Sequence, residues 1–288
     1  RETKFSRKAA EGAKARLLHV SFVMALVTLL TDFGTADYFV GAMKGAILSV
    51  NPAAHVLDLT HEIPPHDIEA GAFTLYAAAE PFPQGTIHVA VVDPGVGSAR
   101  RPLAVVTEQH LYVGPDNGLF GHVYAHAHSC KVFHLTNREH FRRNVSATFH
   151  GRDVFAPVAG ALSLGIPPEV LGEPVSDYVT LPLRAPFRRD RRTLEAALIH
   201  IDRFGNCVTN ITRRELSEAE IAAGARLTIA GREVNNFRRF YAEDSATRGQ
   251  LFAIWGSAGY LEISAFQDSA ARLLNAQRGD TVLVMGDK

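Results

Sequence analysis

The stretch TIHVAVVDPGVGSARR, residues 86–101, decides how the rest of the chain is read. Its apolar run TIHVAVV is short, β-branched and uninterrupted, as in a strand buried on both faces. The run stops at Asp93. Proline follows, and a residue before proline is held extended, so the carboxylate is carried past the strand end. Gly95 and Gly97 then supply a backbone that turns tightly and lets another group come close. Either Arg100 or Arg101 can return to pair with Asp93, and the bland form of that pair is a surface contact worth well under ~1 kcal/mol. The G-x-G here is no dinucleotide fingerprint, because no third glycine opens a helix.

The same grammar recurs on either side of this stretch. LVTLLT reads as a buried strand, YFVGAMKGAILSV has helical spacing, HVLDLT is strand-like and DIEAGAFTLYAAAE is helical. Such βαβ units predict a mostly parallel sheet flanked by helices. LAVVT and LYVG continue the strands, PDNG reads as a turn, and a helix is expected from Val154 to about Leu164. Residues 166–192 carry five prolines and end in the charged run RRDRR, which reads as a linker and a solvated loop. Beyond it LEAALIHID, CVTNI, RLTIA, QLFAIWG, YLEIS and TVLVM follow closely, the pattern of a small antiparallel β-barrel domain. The expected class is therefore α/β, with an N-terminal α/β domain over 24–185 and a C-terminal β-barrel domain over 186–288. Residues 1–23, basic and then apolar without a small-residue cleavage site, read as a leader or an appended remnant.

Bulk numbers exclude several classes. The 30 basic residues balance 30 acidic ones, poor equipment for a nucleic-acid partner. No segment is long and apolar enough to be expected in a membrane. Two cysteines in 288 residues, Cys130 and Cys207, predict a reducing, cytoplasmic setting and two buried small hydrophobes.

Ligands of open α/β sheets bind beyond the carboxyl ends of the strands, and polar residues gather there. In TDFGTADYF, Asp32 reads equally as a turn or cap residue and as an acceptor for a vicinal diol, while Asp37 reads first as a helix cap. In TFHGRDVF, His150 stands with Arg152 and Asp153 before a helix. Asp93, His150 and Asp153 lack any metal-ligand spacing, so no metal is expected. In IDRFGNCVTNI, Asp202 ends a strand and Asn206 offers an amide that can both donate to and accept from a purine edge. The plain alternative is a hairpin turn.

Taken in order, TDFGTADYFVGAMKG, HEIPPHDIEAGAF, VVDPGVGSARR, GPDNGLF, TFHGRDVFAPVA, IDRFGNCVTNI and SAGYLEI resemble the S-adenosyl-L-methionine (SAM) hydroxide adenosyltransferase family. These are SAM hydrolases that form adenosine, related to the SAM-dependent fluorinase and chlorinase. The resemblance runs from about Met24 to the C-terminus. It implies a homotrimer whose active sites lie between the N-terminal domain of one subunit and the C-terminal domain of another, with SAM as substrate and no cofactor. It puts the reaction centre on Asp93, Arg100 and His150, the ribose-binding acid on Asp32 and a pocket wall on Phe149. The methionine end falls to Asp37, Asp202 and Ser257, and adenine to Phe204, Asn206 and Tyr241. The halogenases lack the Asp and Arg of the opening stretch and carry an extra loop soon after it, so this chain is similar to the water-using branch. It departs from the family at AFQDSA, where an asparagine is usual near Phe266. The alternatives are a SAM-dependent 5′-halogenase and a non-catalytic protein that binds SAM or adenosine.

Overall fold

The computed structural model describes residues 25–243 and 247–286. The leader expected over residues 1–23 and the folded start near Met24 lie outside the described residues.

The first half contains β1 (Leu26–Thr31), α1 (Phe39–Val50), β2 (His55–Thr60), α2 (Ile68–Ala79), β3 (Ile87–Val91), β4 (Pro102–Thr107), β5 (Leu111–Pro115) and α3 (Gly121–His126). It continues with β6 (Cys130–Leu135), α4 (Ala156–Ser163), α5 (Pro168–Leu171) and β7 (Gly172–Val175). These strands form one sheet in the order β2-β1-β3-β5-β4-β6-β7. The uninterrupted apolar runs are explained by helices on both faces. Val27 and Leu29 of β1 pack with Met43, Ile47 and Val158 from α1 and α4. Leu30, next along the strand, joins Ala72, Leu75 and Val123 from α2 and α3 on the opposite face. The sheet is parallel across β2-β1-β3-β5 and antiparallel across β5-β4-β6-β7. Only Glu108, Gln109 and His110 connect β4 to β5, and so short a link can join antiparallel strands but cannot make a parallel crossover.

The helix expected from Val154 begins earlier, as a π-turn over Gly151–Phe155 that runs into α4 with proline near its first position. The proline-rich segment is more than a linker, since it supplies α5 and an edge strand, β7, paired to β6. Cys207 is buried as expected, its thiol pushed up to about 12 by that burial. Cys130 is only partly buried and sits beside the Tyr178 hydroxyl, because β6 runs near the edge of the sheet.

The second half contains β8 (Phe187–Arg188), β9 (Thr193–Ile201), β10 (Cys207–Thr212), α6 (Glu218–Ala222), β11 (Arg226–Ile229), β12 (Arg232–Val234) and β13 (Phe237–Arg238). It ends with β14 (Leu251–Trp255), β15 (Tyr260–Ala265), α7 (Ala270–Leu274) and β16 (Thr281–Met285). Their order is β12-β11-β16-β9-β10-β15-β14-β13, with β8 on β9, and the sheet curls until β12 approaches β14. All its pairings are antiparallel except β13 with β14. The inward-facing apolar side chains of these strands form a separate core.

Helix α2 joins the halves. Its Phe73 stacks on His200 of β9 at 4.7 Å between ring centroids, and packs with Val208 and Tyr260. At its N-terminus, Arg278 pairs with Asp67 at 2.8 Å and Glu69 at 3.1 Å. Among the described residues no helix is long and apolar enough to cross a membrane.

Phe155 is fully buried beneath α1 and the strands. Phe155→Ala is expected to lower unfolding stability by about 3–5 kcal/mol, measured by urea denaturation.

Candidate active site

The sheet order changes direction at β1, which lies between β2 and β3. A crevice therefore opens at the carboxyl ends of β1 and β3, where the following segments diverge. Thr31 is the register partner of Val91. Asp32 comes one residue after the first and Asp93 two after the second, so both acids stand on this edge of the sheet. One Asp32 oxygen accepts from the His66 backbone N–H at 2.8 Å. His66 holds a left-handed φ of 67° there.

Asp93 is nearly closed off from solvent, and Arg100 meets it in a two-pronged contact. The Arg100 Nε lies 3.0 Å from Oδ1 and 2.9 Å from Oδ2, and Nη2 also donates to Oδ2. With side-chain exposures of 8% and 4%, this is a buried ion pair and not the bland surface contact. Arg101 is excluded from the pair. It turns away to Asp116, at 2.9 Å from Nε, and to Asp177, at 2.7 Å from Nη1.

The same Arg100 Nη2 reaches His150 Nδ1 at 2.8 Å. A guanidinium only donates, so Nδ1 accepts and the neutral ring carries its proton on Nε2. Burial, followed by the Arg100 charge, holds the His150 pKa below the ordinary histidine value, against the opposing pull of Asp93 and Asp153. Arg100 Nη1 is buried and has no protein partner among the described residues. Gly97 makes the approach possible. Its φ is +79°, and a Cβ there would sit 2.2 Å from the Ala147 carbonyl in the segment that leads to His150.

Around His150, Phe149 is buried in a ring cluster with Phe33 and Phe39. Asp153 is fully buried and gripped by Arg152 at 2.7 and 2.9 Å, while it accepts from the Ser146 N–H at 2.8 Å. It therefore braces the 146–153 segment. Asp37 does not cap α1: the cap position is Tyr38, with no side-chain hydrogen bond, and Asp37 lies exposed in the bend before it. The bend over Thr35–Tyr38 brings Tyr38, not Asp37, to the cap position, one residue later than the aspartate.

The other sequence-selected residues gather at one end of the second sheet. Asp202–Asn206 is the hairpin turn between β9 and β10, and it also forms the wall of a cavity of about 750 Å³. Asp202, Phe204, Asn206, Tyr241 and Ser257 all line it. Asp202 Oδ1 accepts from the Phe204 N–H at 2.9 Å and the Asn206 N–H at 2.8 Å, which fixes the turn. The Asn206 amide donates to Asp202 Oδ2 at 2.8 Å and to the Tyr241 hydroxyl at 3.4 Å. Both amide hydrogens are thus engaged, leaving Asn206 its carbonyl but no donor for a purine edge. Phe204 stands on the wall with 77% of its surface exposed.

The cavity holds a residue that sequence reading passed over. Glu262, within YLEIS on β15, lines it and accepts from the Tyr241 hydroxyl at 3.2 Å. A charged residue in a strand that otherwise alternates normally points to solvent, and only the curl of the sheet turns this one into a wall. None of Asp32, Asp93, Arg100, Phe149 or His150 lines this cavity. Within one chain the two groups of site residues remain separate.

Residues 27–172 match the SAM hydroxide adenosyltransferase N-terminal domain and residues 196–283 the C-terminal domain of the same family. The chain is similar to the (R)-S-adenosyl-L-methionine hydrolase of Methanocaldococcus jannaschii, 35% identical over 275 residues that cover 91% of this chain and 97% of the relative. A fluorinase from Actinoplanes sp. is 26% identical, covering 90% and 97%. A crystal structure of an uncharacterized conserved protein from Thermotoga maritima superposes with a TM-score of 0.83 at 32% identity, over 90% of this chain and 99% of that one.

Removing one partner of the Asp93–Arg100 pair leaves a buried charge. Arg100→Met is expected to cost about 3–5 kcal/mol, and Asp93→Asn combined with Arg100→Met substantially less, in a double-mutant cycle read by chemical denaturation.

Proposed function

Since the chain belongs to the SAM hydroxide adenosyltransferase family, we propose that it hydrolyses SAM to adenosine and L-methionine with Asp93, Arg100 and His150 at the reaction centre. Water or hydroxide attacks C5′ of the ribose in line with the C5′–S bond, and methionine leaves as a neutral thioether. A sulfonium needs no acid to depart, so catalysis must position and activate a weak nucleophile. Holding water in line can supply on the order of 7–11 kcal/mol in ideal cases, and proton removal a further ~10²–10⁴-fold.

The observation that carries this reading is the Arg100 bridge. A guanidinium that binds Asp93 and His150 at once fixes both relative to each other and to the strand end. Asp93 keeps lone pairs free to take a proton from water. His150, neutral with its proton on Nε2, donates a hydrogen bond toward the nucleophile and is not itself the base while Nδ1 is held by Arg100. The unpartnered Nη1 of Arg100 adds positive charge that favours hydroxide.

Asp32 takes the ribose diol through its remaining oxygen, and Phe149 forms the pocket wall behind it. Asp37, Asp202 and Ser257 hold the methionine end, while Phe204, Asn206 and Tyr241 hold adenine. Because the reaction centre and the cavity are separate within one chain, the site is composite: one subunit supplies Asp93, and its neighbour in a homotrimer supplies the cavity. The exposed ring of Phe204 suits that closure. SAM is the substrate, no cofactor takes part, and the enzyme works in the cytoplasm.

Asp93→Ala and His150→Ala are each expected to reduce adenosine release from SAM by ~10²-fold or more, followed by chromatography. With labelled water the oxygen enters the 5′ position, and chloride or fluoride yields no 5′-halo-5′-deoxyadenosine; a halogenated product would reverse the reading, as would SAM binding without turnover. The low-pH fall in rate is expected below the ordinary histidine value of about 6.5, because a depressed pKa keeps His150 neutral further into acid. Co-assembly of Asp93→Ala chains with Asp202→Ala chains, each inactive alone, should restore about a quarter of the sites if neighbours share each one.

A further inference from the structure

The cavity wall contains a hydrogen-bond chain that runs in one direction. Asn206 donates to Asp202 and Tyr241, and Tyr241 donates to Glu262 Oε2. Every donor of the chain is consumed inside it. What is left for a ligand are acceptors: the Asn206 carbonyl and Glu262 Oε1, neither of which has a protein partner among the described residues.

Glu262 is placed with unusual closeness to the backbone. A Cβ on Gly256 would lie 1.8 Å from its Oε1, so only glycine at that turn lets the carboxyl rest where it does. The Tyr241 hydroxyl needs only one acceptor, and an amide would serve. Yet the position carries a carboxyl close to a second one, Asp202. Burial, with the Asp202 charge added, raises the Glu262 pKa, and only the Tyr241 bond opposes this. An under-satisfied carboxylate in a cavity wall is stabilised by a donor from the ligand.

We propose that Glu262 is a specificity-determining residue of the nucleobase subsite: its free oxygen, together with the Asn206 carbonyl, accepts from an exocyclic amino group, selecting 6-aminopurine nucleosides over 6-oxopurines. This rests on the reading of the cavity as the adenine end of the SAM site. A 6-oxo group placed between these two oxygens would meet an acceptor on either side, and a mismatch of that kind discriminates strongly.

The test is calorimetric titration of the intact protein with adenosine and with inosine, alongside SAM turnover. Wild type is expected to bind adenosine ~10²-fold or more tightly than inosine. Glu262→Gln, which keeps an acceptor for Tyr241 and adds an amide donor, should shrink that ratio to about tenfold or less, with inosine binding improved. Glu262→Asp, which withdraws the carboxyl by one methylene, should weaken adenosine while leaving inosine unchanged. A Glu262→Gln protein in which both nucleosides weaken equally would mean that Glu262 only supports Tyr241, and the proposal falls. Equal binding of both by a wild type that still cleaves SAM also overturns it, leaving the hydrolase reading in place. If wild type neither binds adenosine nor cleaves SAM, the hydrolase reading falls too.

Discussion

The buried contact among Asp93, Arg100 and His150 is the constraint on which the rest of the site depends. A carboxylate 4% exposed at a strand end is tolerable only with its charge compensated, and Arg100 provides that compensation from seven residues away. The same guanidinium then ties in a histidine fifty residues further along the chain. Three features of the backbone make the geometry available. Pro94 holds Asp93 extended, Gly97 opens its Cβ side to the Ala147 carbonyl, and the π-turn at Gly151–Phe155 presents His150 at its start. Phe155 lies under the Arg100 guanidinium at 5.3 Å, so the charged set rests on the main core. Its rigidity is therefore the rigidity of the α/β half itself.

Polar groups near this set are organised to keep competitors away from it. Arg101 is diverted to Asp116 and Asp177, which holds the segment crossing to the second half against the first sheet. Asp153, instead of joining Asp93, Arg100 and His150, neutralises Arg152 and caps the 146–148 turn. Each takes a charge out of contention by giving it a fixed partner. The arrangement leaves a single arginine between Asp93 and His150, which sets the histidine tautomer by donor logic alone.

The second half works by a different device. Its antiparallel strands are held by their own core, and the sheet curls so that residues on hairpin turns and on β15 line one cavity. There the hydrogen bonds form a directed chain with acceptors exposed at its ends, whereas the first half presents a clustered charge. The charged set and the cavity are thus built on separate scaffolds joined by α2, whose Phe73 and acidic N-terminus bind the β half through His200 and Arg278.

Much of this was readable along the chain. The buried runs LVTLLT and TIHVAVV, the alternation with helices, the polar strand ends at Asp32 and Asp93, and the run of short strands after residue 192 follow from periodicity and from proline and glycine stereochemistry, which neighbouring residues determine. The three-residue link between Thr107 and Leu111 permits only an antiparallel turn, which the expected strand pattern did not single out. Other facts depended on distances between segments far apart in sequence. Which arginine pairs with Asp93, how the Asn206 amide hydrogens are used, why Asp37 caps nothing and why Glu262 faces a cavity were decided only by the tertiary structure. A hydrogen bond requires two groups to arrive within about 3 Å of each other, and no local pattern specifies that meeting.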